Sequence, residues 1–118
     1  MKEHLESGGL VVYPTSTLPG LGCLPINSGL DKLYSTKNRP ETMPVSLGVA
    51  SMEQAEAIVE IPDFLNEFLS AFTKGGITTI LPAKETMDSR LGGDNVAIRV
   101  FSHPAATSLA EKFGPITA

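Results

Sequence analysis

Apolar residues along this chain fall into short blocks that alternate between two spacings. Leu10-Val11-Val12-Tyr13 is too uniformly apolar for a half-exposed strand and predicts one covered on both faces. Pro14 ends it, because proline has no N–H to give to a central ladder. Val45–Val49, the β-branched run Ile77–Leu81 and Val96–Phe101 predict three further strands. Ile116-Thr117-Ala118 reads as the beginning of another buried strand.

Between these blocks the apolar positions recur at three and four residues, the period of a helix. Met1–Ser7 reads as the last turns of a helix stopped by Gly8-Gly9. Ser28 is expected to cap a helix carrying Leu30, Leu33, Tyr34 and Lys37 near one face. Ser51-Met52-Glu53-Gln54 has the capping-box pattern, followed by Ala55, Ile58 and Val59 on one side. Pro62 suits a first helical position, with Phe64, Leu65, Phe68, Leu69 and Phe72 repeating behind it up to Gly75-Gly76. A last helix is expected over Pro104 to Phe113, closed by Gly114-Pro115. Thr15 to Asn27, Asn38 to Pro44 and Leu91-Gly92-Gly93-Asp94 read as loops or turns. Strands alternating with helices predict an α/β fold, a twisted open sheet flanked by helices; the strand order stays open.

The 118 residues suffice for one domain with one core, and no repeat or linker divides them. Hydrophobic residues at 42% and charged residues at 19% give a globular composition. No apolar run is long enough to span a bilayer, and the N-terminus lacks the apolar stretch of a signal peptide. A single cysteine, Cys23, rules out an internal disulfide, and a cytoplasmic protein is expected. The net charge of −4 argues against a surface built to grip a phosphate backbone, though not against a small basic pocket for one nucleotide.

Several common signatures fail. Gly20-Leu21-Gly22 begins like a dinucleotide fingerprint, but Pro25 stands where its third glycine belongs. There is no Walker loop and no nucleophile elbow. His4 and His103 lie far apart and Cys23 stands alone, so no protein-held metal is expected. Cys23 has no base near it in sequence and reads as a small buried hydrophobe.

Four segments taken together carry a family resemblance. Tyr13-Pro14-Thr15-Ser16-Thr17-Leu18-Pro19-Gly20-Leu21-Gly22 looks like the strand-loop signature YPT[DE]TxYGLG. Lys37-Asn38-Arg39-Pro40 with Pro44 resembles KxRP…P, and Gly75-Gly76-Ile77-Thr78 to Leu81-Pro82 is similar to GPxT…LP. Val96-Ala97-Ile98-Arg99-Val100 with His103-Pro104 is similar to VAVRxPxHP. In order and approximate spacing these match the YrdC-like family of threonylcarbamoyl-AMP synthases, from residue 8 to the end. The chain departs from the pattern at Ser16, Pro19, Met43, Gly48 and Gly76, where the family commonly has an acid, a tyrosine, a Lys or Asn, a histidine and a proline.

The resemblance implies a nucleotidyltransferase that joins L-threonine, bicarbonate and ATP into threonylcarbamoyl-AMP and pyrophosphate. Partner proteins then use the product to modify tRNA. ATP enters as a substrate, with Mg²⁺ held mainly by its phosphates. Such chemistry calls for positioning and for cations around the reacting phosphate, with no covalent nucleophile. Carried over residue by residue, Thr17, Arg99 and Ala118 are implied to meet threonine. Lys37 and Arg39 are implied to face the nucleotide phosphates and to be the catalytic pair, with Asn95 also on the nucleotide. Arg99 stands among apolar neighbours, where a buried arginine needs a partner, either the threonine carboxylate or an internal Asp or Glu. Thr78 reads equally as a pocket residue or as strand packing, and His103 as a helix-start residue. The family pattern runs on beyond Ala118 into a Ser-x-Asn motif, so a single domain incomplete at its C-terminus, and incomplete for catalysis, is expected.

Two other functions fit parts of the pattern. A double-stranded RNA-binding module would use a basic concave face, but nine Lys and Arg are spread thinly along the chain. An inactive paralogue that keeps the small-molecule pocket would account for Ser16, Pro19, Met43 and Gly48.

Overall fold

The computed structural model describes residues 1–15, 18–72 and 76–118. The strands are β1 (Val11–Tyr13), β2 (Gly20–Gly22), β3 (Leu47–Val49), β4 (Thr79–Pro82), β5 (Asn95–Val100) and β6 (Ile116–Thr117). The helices are α1 (Lys2–Glu6), α2 (Asn27–Lys37), α3 (Met52–Glu56), α4 (Leu65–Ser70) and α5 (Pro104–Phe113). Four strands form a mixed sheet in the order β4-β5-β3-β6, and β1 and β2 form an antiparallel pair. β3 runs parallel to β5 and antiparallel to β6, while β4 and β5 are antiparallel. The pair β1–β2 joins this sheet through Cys23 and Thr117. Thr117 N–H donates to the Cys23 carbonyl and Cys23 N–H to Thr117 Oγ1, each at 3.0 Å. The mixed α/β sheet expected from the alternating pattern is therefore present, with helices packed on it.

Alternation along β5 decides what each face of the sheet does. Val96 and Ile98 point into a core with Leu47, Val49, Leu81, Leu30, Leu33 and Ala55. Each such side chain contributes about 1.5–3 kcal/mol by leaving water. The intervening residues Asn95, Ala97 and Arg99 turn to the other face, where Asn95 and Arg99 are exposed and Ala97 half-buried. That second face is covered only at one end. There a smaller core of Tyr13, Ala50, Phe101, Ala106, Ala110 and Ile116 brings α5 and β1 onto it.

Local chemistry explains most element ends. Ser51 caps α3, its hydroxyl accepting from Gln54 N–H at 3.2 Å, while Gln54 Oε1 accepts from Ala50 N–H at 2.8 Å. His103 caps α5, its Nδ1 accepting from Ala105 N–H at 3.1 Å, and Pro104 follows in the first turn. Asn38, in the left-handed region at φ 51°, ends α2.

Four expectations are corrected. Gly20–Gly22 is a strand rather than loop, because its glycines make room for neighbours. A Cβ on Gly20 would lie 2.6 Å from the Tyr13 ring, and one on Gly22 would lie 2.5 Å from the Thr117 carbonyl oxygen. Ser28 does not cap α2. The cap position is Ile26 and the helix starts two residues earlier, with Leu30 N–H bonded to the Ile26 carbonyl and the Asn27 side chain turned to Arg90. The helix after Pro62 is short, and only Leu65 and Leu69 pack inward. Phe64, Phe68 and Phe72 are exposed, with the last two rings 5.1 Å apart. The third strand is also displaced toward its C-terminal end, to Thr79–Pro82; as the sheet's edge it tolerates Pro82.

Candidate functional site

Arg99 stands next to last in β5, in register with Gly48 of β3, on the sheet face that helices leave open. Its Nε donates to Thr78 Oγ1 at 3.0 Å. Thr78 directly precedes the edge strand β4, which pairs with β5 and so brings the two side chains side by side. No carboxylate pairs with Arg99 among the described residues, so the internal Asp or Glu considered from the sequence is excluded there. The arginine is exposed rather than buried. One donor fixes its direction and the remaining guanidinium N–H groups are directed at no described protein atom.

A cavity of about 190 Å³ opens beside it. Its walls include Tyr13 and Gly20 from β1–β2, Phe101 and His103 beyond β5, Ala106 of α5, and Ala118. Tyr13 and Phe101 meet edge to face with centroids 5.5 Å apart. Tyr13 Oη donates to the Thr117 carbonyl at 2.8 Å, which locks the ring. Burial pushes the Tyr13 phenol up to about 12, partly offset by the Arg99 charge, so the hydroxyl is a fixed donor at neutral pH. Ala118 is held by reciprocal bonds to Ser46: its N–H donates to the Ser46 carbonyl at 2.8 Å and Ser46 Oγ donates to its carbonyl at 2.9 Å. The cavity thus combines one charged donor with a wall that is as polar as it is apolar. That suits a small anion with a short side chain, and it is too small for a nucleotide.

Of the other expected site residues that the structure describes, only Ala118 lines this cavity. Thr17 falls outside the described residues; Thr15 and Leu18 line the cavity on either side of it in sequence. Arg39 is half-buried and works on its own loop, Nε donating to the Met43 carbonyl at 2.9 Å and Nη2 to the Pro44 carbonyl at 2.7 Å. Its guanidinium also lies 5.9 Å from the centre of the Tyr34 ring. Lys37 is exposed in the last turn of α2. Asn95 opens β5 on the same face as Arg99, four residues away, which along a strand is about 13 Å. Asn95 shares the open face with Arg99, Arg99 and Ala118 line the cavity itself, and Lys37 and Arg39 are not among the residues lining it. The Pro44 carbonyl that Arg39 holds lies two residues before Ser46, the partner of Ala118.

Cys23 is fully buried beside Thr117, and burial raises its thiol above the ordinary range, so it is no nucleophile, as its lone position predicts. Tyr13, Phe101 and Ser46 are wall and support residues that the sequence reading did not single out. For Tyr13 the signal was present, since an aromatic two residues before a loop and opposite a Gly-x-Gly can pack across those glycines.

Residues 3–118 match the Sua5/YciO/YrdC family, described as "Telomere recombination". The chain belongs to this family. Threonylcarbamoyl-AMP synthase of Halorhodospira halophila is 36% identical over 115 residues, covering 94% of this chain and 60% of that protein. Its counterpart from Pyrococcus abyssi is 32% identical over 111 residues, covering 91% of this chain and 33% of that protein. In three dimensions the chain is similar to P. abyssi Sua5 complexed with L-threonine, with a TM-score of 0.87 at 32% identity, over 99% of this chain and 36% of that one. E. coli YciO shares the fold, with a TM-score of 0.81 at 23% identity over 98% of this chain and 58% of that one. The chain thus spans between a third and three fifths of these relatives' lengths. No helix among the described residues is long and apolar enough to cross a membrane.

One departure of this Sua5/YciO/YrdC chain from the family pattern has a visible physical counterpart. Gly48, where the pattern often has histidine, lies under the Phe101 ring, and Phe101 itself stands where the pattern has proline.

Proposed function

We propose that this chain carries the L-threonine pocket and part of the nucleotide face of a threonylcarbamoyl-AMP synthase, acting in the cytoplasm in tRNA threonylcarbamoyladenosine modification. The observation that carries the reading is Arg99. Its guanidinium is aimed by Thr78, has no protein carboxylate among the described residues, and borders a cavity sized for one small amino acid. The likeness to P. abyssi Sua5 complexed with L-threonine supports the same ligand here.

In this reading the threonine carboxylate sits against Arg99, since a guanidinium and a carboxylate form charge-assisted bonds about twice as strong as neutral ones. The Ala118 carbonyl, held by Ser46 Oγ, keeps a second lone pair for the ammonium group of the amino acid. Thr17 supplies a further contact to threonine. The nucleotide lies along the open face, with Lys37 and Arg39 near its phosphates and Asn95 at the far end of β5. Arg39 spends two donors on its own loop, which presents the guanidinium in a fixed direction. Bicarbonate supplies the carbamate carbon, and Mg²⁺ arrives with the ATP phosphates. When bound, the metal neutralises charge on those phosphates; Lys37 and Arg39 do the same from the protein side. Partner proteins consume the adenylate.

Two measurements test this. L-threonine should raise the thermal midpoint of the protein, and pyrophosphate release from ATP and Mg²⁺, by a chain extended through the Ser-x-Asn motif, should require L-threonine and bicarbonate together. Retention on double-stranded RNA without any response to threonine would reject the reading. Binding of threonine without turnover, in a chain extended through the Ser-x-Asn motif of the family pattern, would favour a sensing paralogue instead.

A further inference from the structure

Gly48 carries no side chain on the sheet face where its register partner Arg99 does. The space is filled by Phe101, just past the end of β5. A Cβ on Gly48 would lie 1.9 Å from Cζ of Phe101 and 2.5 Å from both of its Cε atoms. No L-residue with a side chain fits position 48 while the ring holds this place. The Phe101 backbone is fixed too, its N–H donating to the Val49 carbonyl at 2.9 Å. The ring is 6% exposed, meets Tyr13 edge-on, and still contributes to the cavity wall beside Arg99.

We propose that Phe101, seated on Gly48, is the specificity-determining residue of the amino-acid pocket: it sets how large a side chain is accepted beside Arg99. The inference rests on the amino-acid reading given above and deepens it. Arg99 reads a carboxylate, which every α-amino acid possesses, so charge alone cannot choose among them. Choice falls to the wall. A flexible wall would yield to a larger ligand, but this one has nowhere to go. β3 backbone lies directly behind the Phe101 ring, and Tyr13, its neighbour, is tethered to the Thr117 carbonyl. Close-packed interiors transmit such a clash rather than absorb it. A single methylene too many or too few in an apolar pocket is worth roughly tenfold or more in discrimination.

The test is calorimetric binding of L-alanine, L-threonine and L-leucine to the native protein, Phe101→Leu and Gly48→Ala, with thermal midpoints recorded alongside. The native protein should prefer L-threonine to L-leucine. Phe101→Leu should narrow that ratio by roughly tenfold, through a gain for L-leucine. Gly48→Ala pushes the ring into the cavity, so L-threonine should lose roughly tenfold relative to L-alanine, and adding Phe101→Leu should restore it. A threonine-to-leucine ratio unchanged in folded Phe101→Leu overturns the proposal. If that variant does not fold, equal losses for alanine and threonine in Gly48→Ala overturn it instead. A native protein that binds none of the three rejects the amino-acid pocket itself, a separate outcome.

Discussion

Two arginines show how differently one side chain can be used within a single small fold. Arg90, in the short 3-10 turn Ser89–Leu91, is 5% exposed and saturated with partners. Nε and Nη2 donate to the two oxygens of Asp88 at 3.0 and 2.9 Å, Nη2 also reaches Asn27 Oδ1 at 2.8 Å, and Nη1 bonds Asp31. Glu41 lies 3.5 Å from Nη1, and the Tyr34 ring 5.9 Å from the guanidinium carbon. Its own carbonyl takes the Val45 N–H and the Tyr34 hydroxyl, so the residue ties α2, the 39–44 loop and the entry to β3 together. Arg99 has one hydrogen bond among the described residues, to a neutral hydroxyl, and faces a cavity. A buried cation is tolerable only when its donors are matched by acceptors within the protein. An exposed one, oriented yet unmatched, is kept available for a ligand. Arg90 builds the frame and Arg99 uses it.

The sharpest way to break this comparison is to remove each arginine in turn. Arg90→Ala strands Asp88 and Asp31 without their cation and should destabilise the fold by about 3 kcal/mol, read as a fall in denaturant midpoint. Arg99→Ala should barely move that midpoint, because its side chain is exposed. It should instead weaken L-threonine binding roughly 30- to 150-fold, the worth of about 2–3 kcal/mol in charge-assisted bonds, measured by titration calorimetry. If the two variants exchanged phenotypes, the division of labour would be wrong.

Acid sharpens the comparison further. The Arg90 bonds hold the Asp88 carboxyl below its ordinary value of 3.8. A carboxylate lowered in the folded state contributes stability that is fully present above its unfolded value and is lost as pH falls through the folded one. The frame around Arg90 should therefore weaken below about pH 4, and Asp88→Asn should flatten that part of the profile. The same substitution should cost about 1.5–2 kcal/mol at neutral pH, seen by thermal melts across pH.

How much of this was legible in the sequence depended on the range of the forces involved. Strands such as Asn95–Val100 and caps such as Ser51 with Gln54 are set by neighbours a few residues apart, and the pattern of residue types conveys them. Gly20–Gly22 misled as a loop because its glycines serve Tyr13 and Thr117, the second nearly a hundred residues distant. Arg90 is inconspicuous in the sequence for the same reason: its partners Asn27, Asp31 and Glu41 come from a segment roughly fifty to sixty residues earlier. Arg99 was conspicuous as a charge in an apolar strand, yet its exposure could not be foreseen, because the open face depends on where α5 and the β1–β2 pair lie. The fit of Phe101 over Gly48 is another long-range match, between positions 53 residues apart in sequence and adjacent in the sheet.

The smallest expected effect probes what aims Arg99. Thr78 Oγ1 accepts from Arg99 Nε and touches no ligand in the proposed reading, so it is a positioning residue. Thr78→Val keeps the β-branched shape and removes the acceptor, leaving the exposed guanidinium free to rotate in water. Since water replaces the lost bond, stability should change by less than 0.5 kcal/mol. Binding should suffer more, because the arginine must now be ordered as the ligand arrives, at a cost of about 0.5–1.5 kcal/mol for a side chain of this length. That corresponds to roughly three- to tenfold weaker L-threonine binding, and Thr78→Ser should recover most of it. In an Arg99→Ala background Thr78→Val should have no further effect on binding. A persisting loss there would mean that Thr78 meets the ligand itself, and the orientation of Arg99 would need another cause.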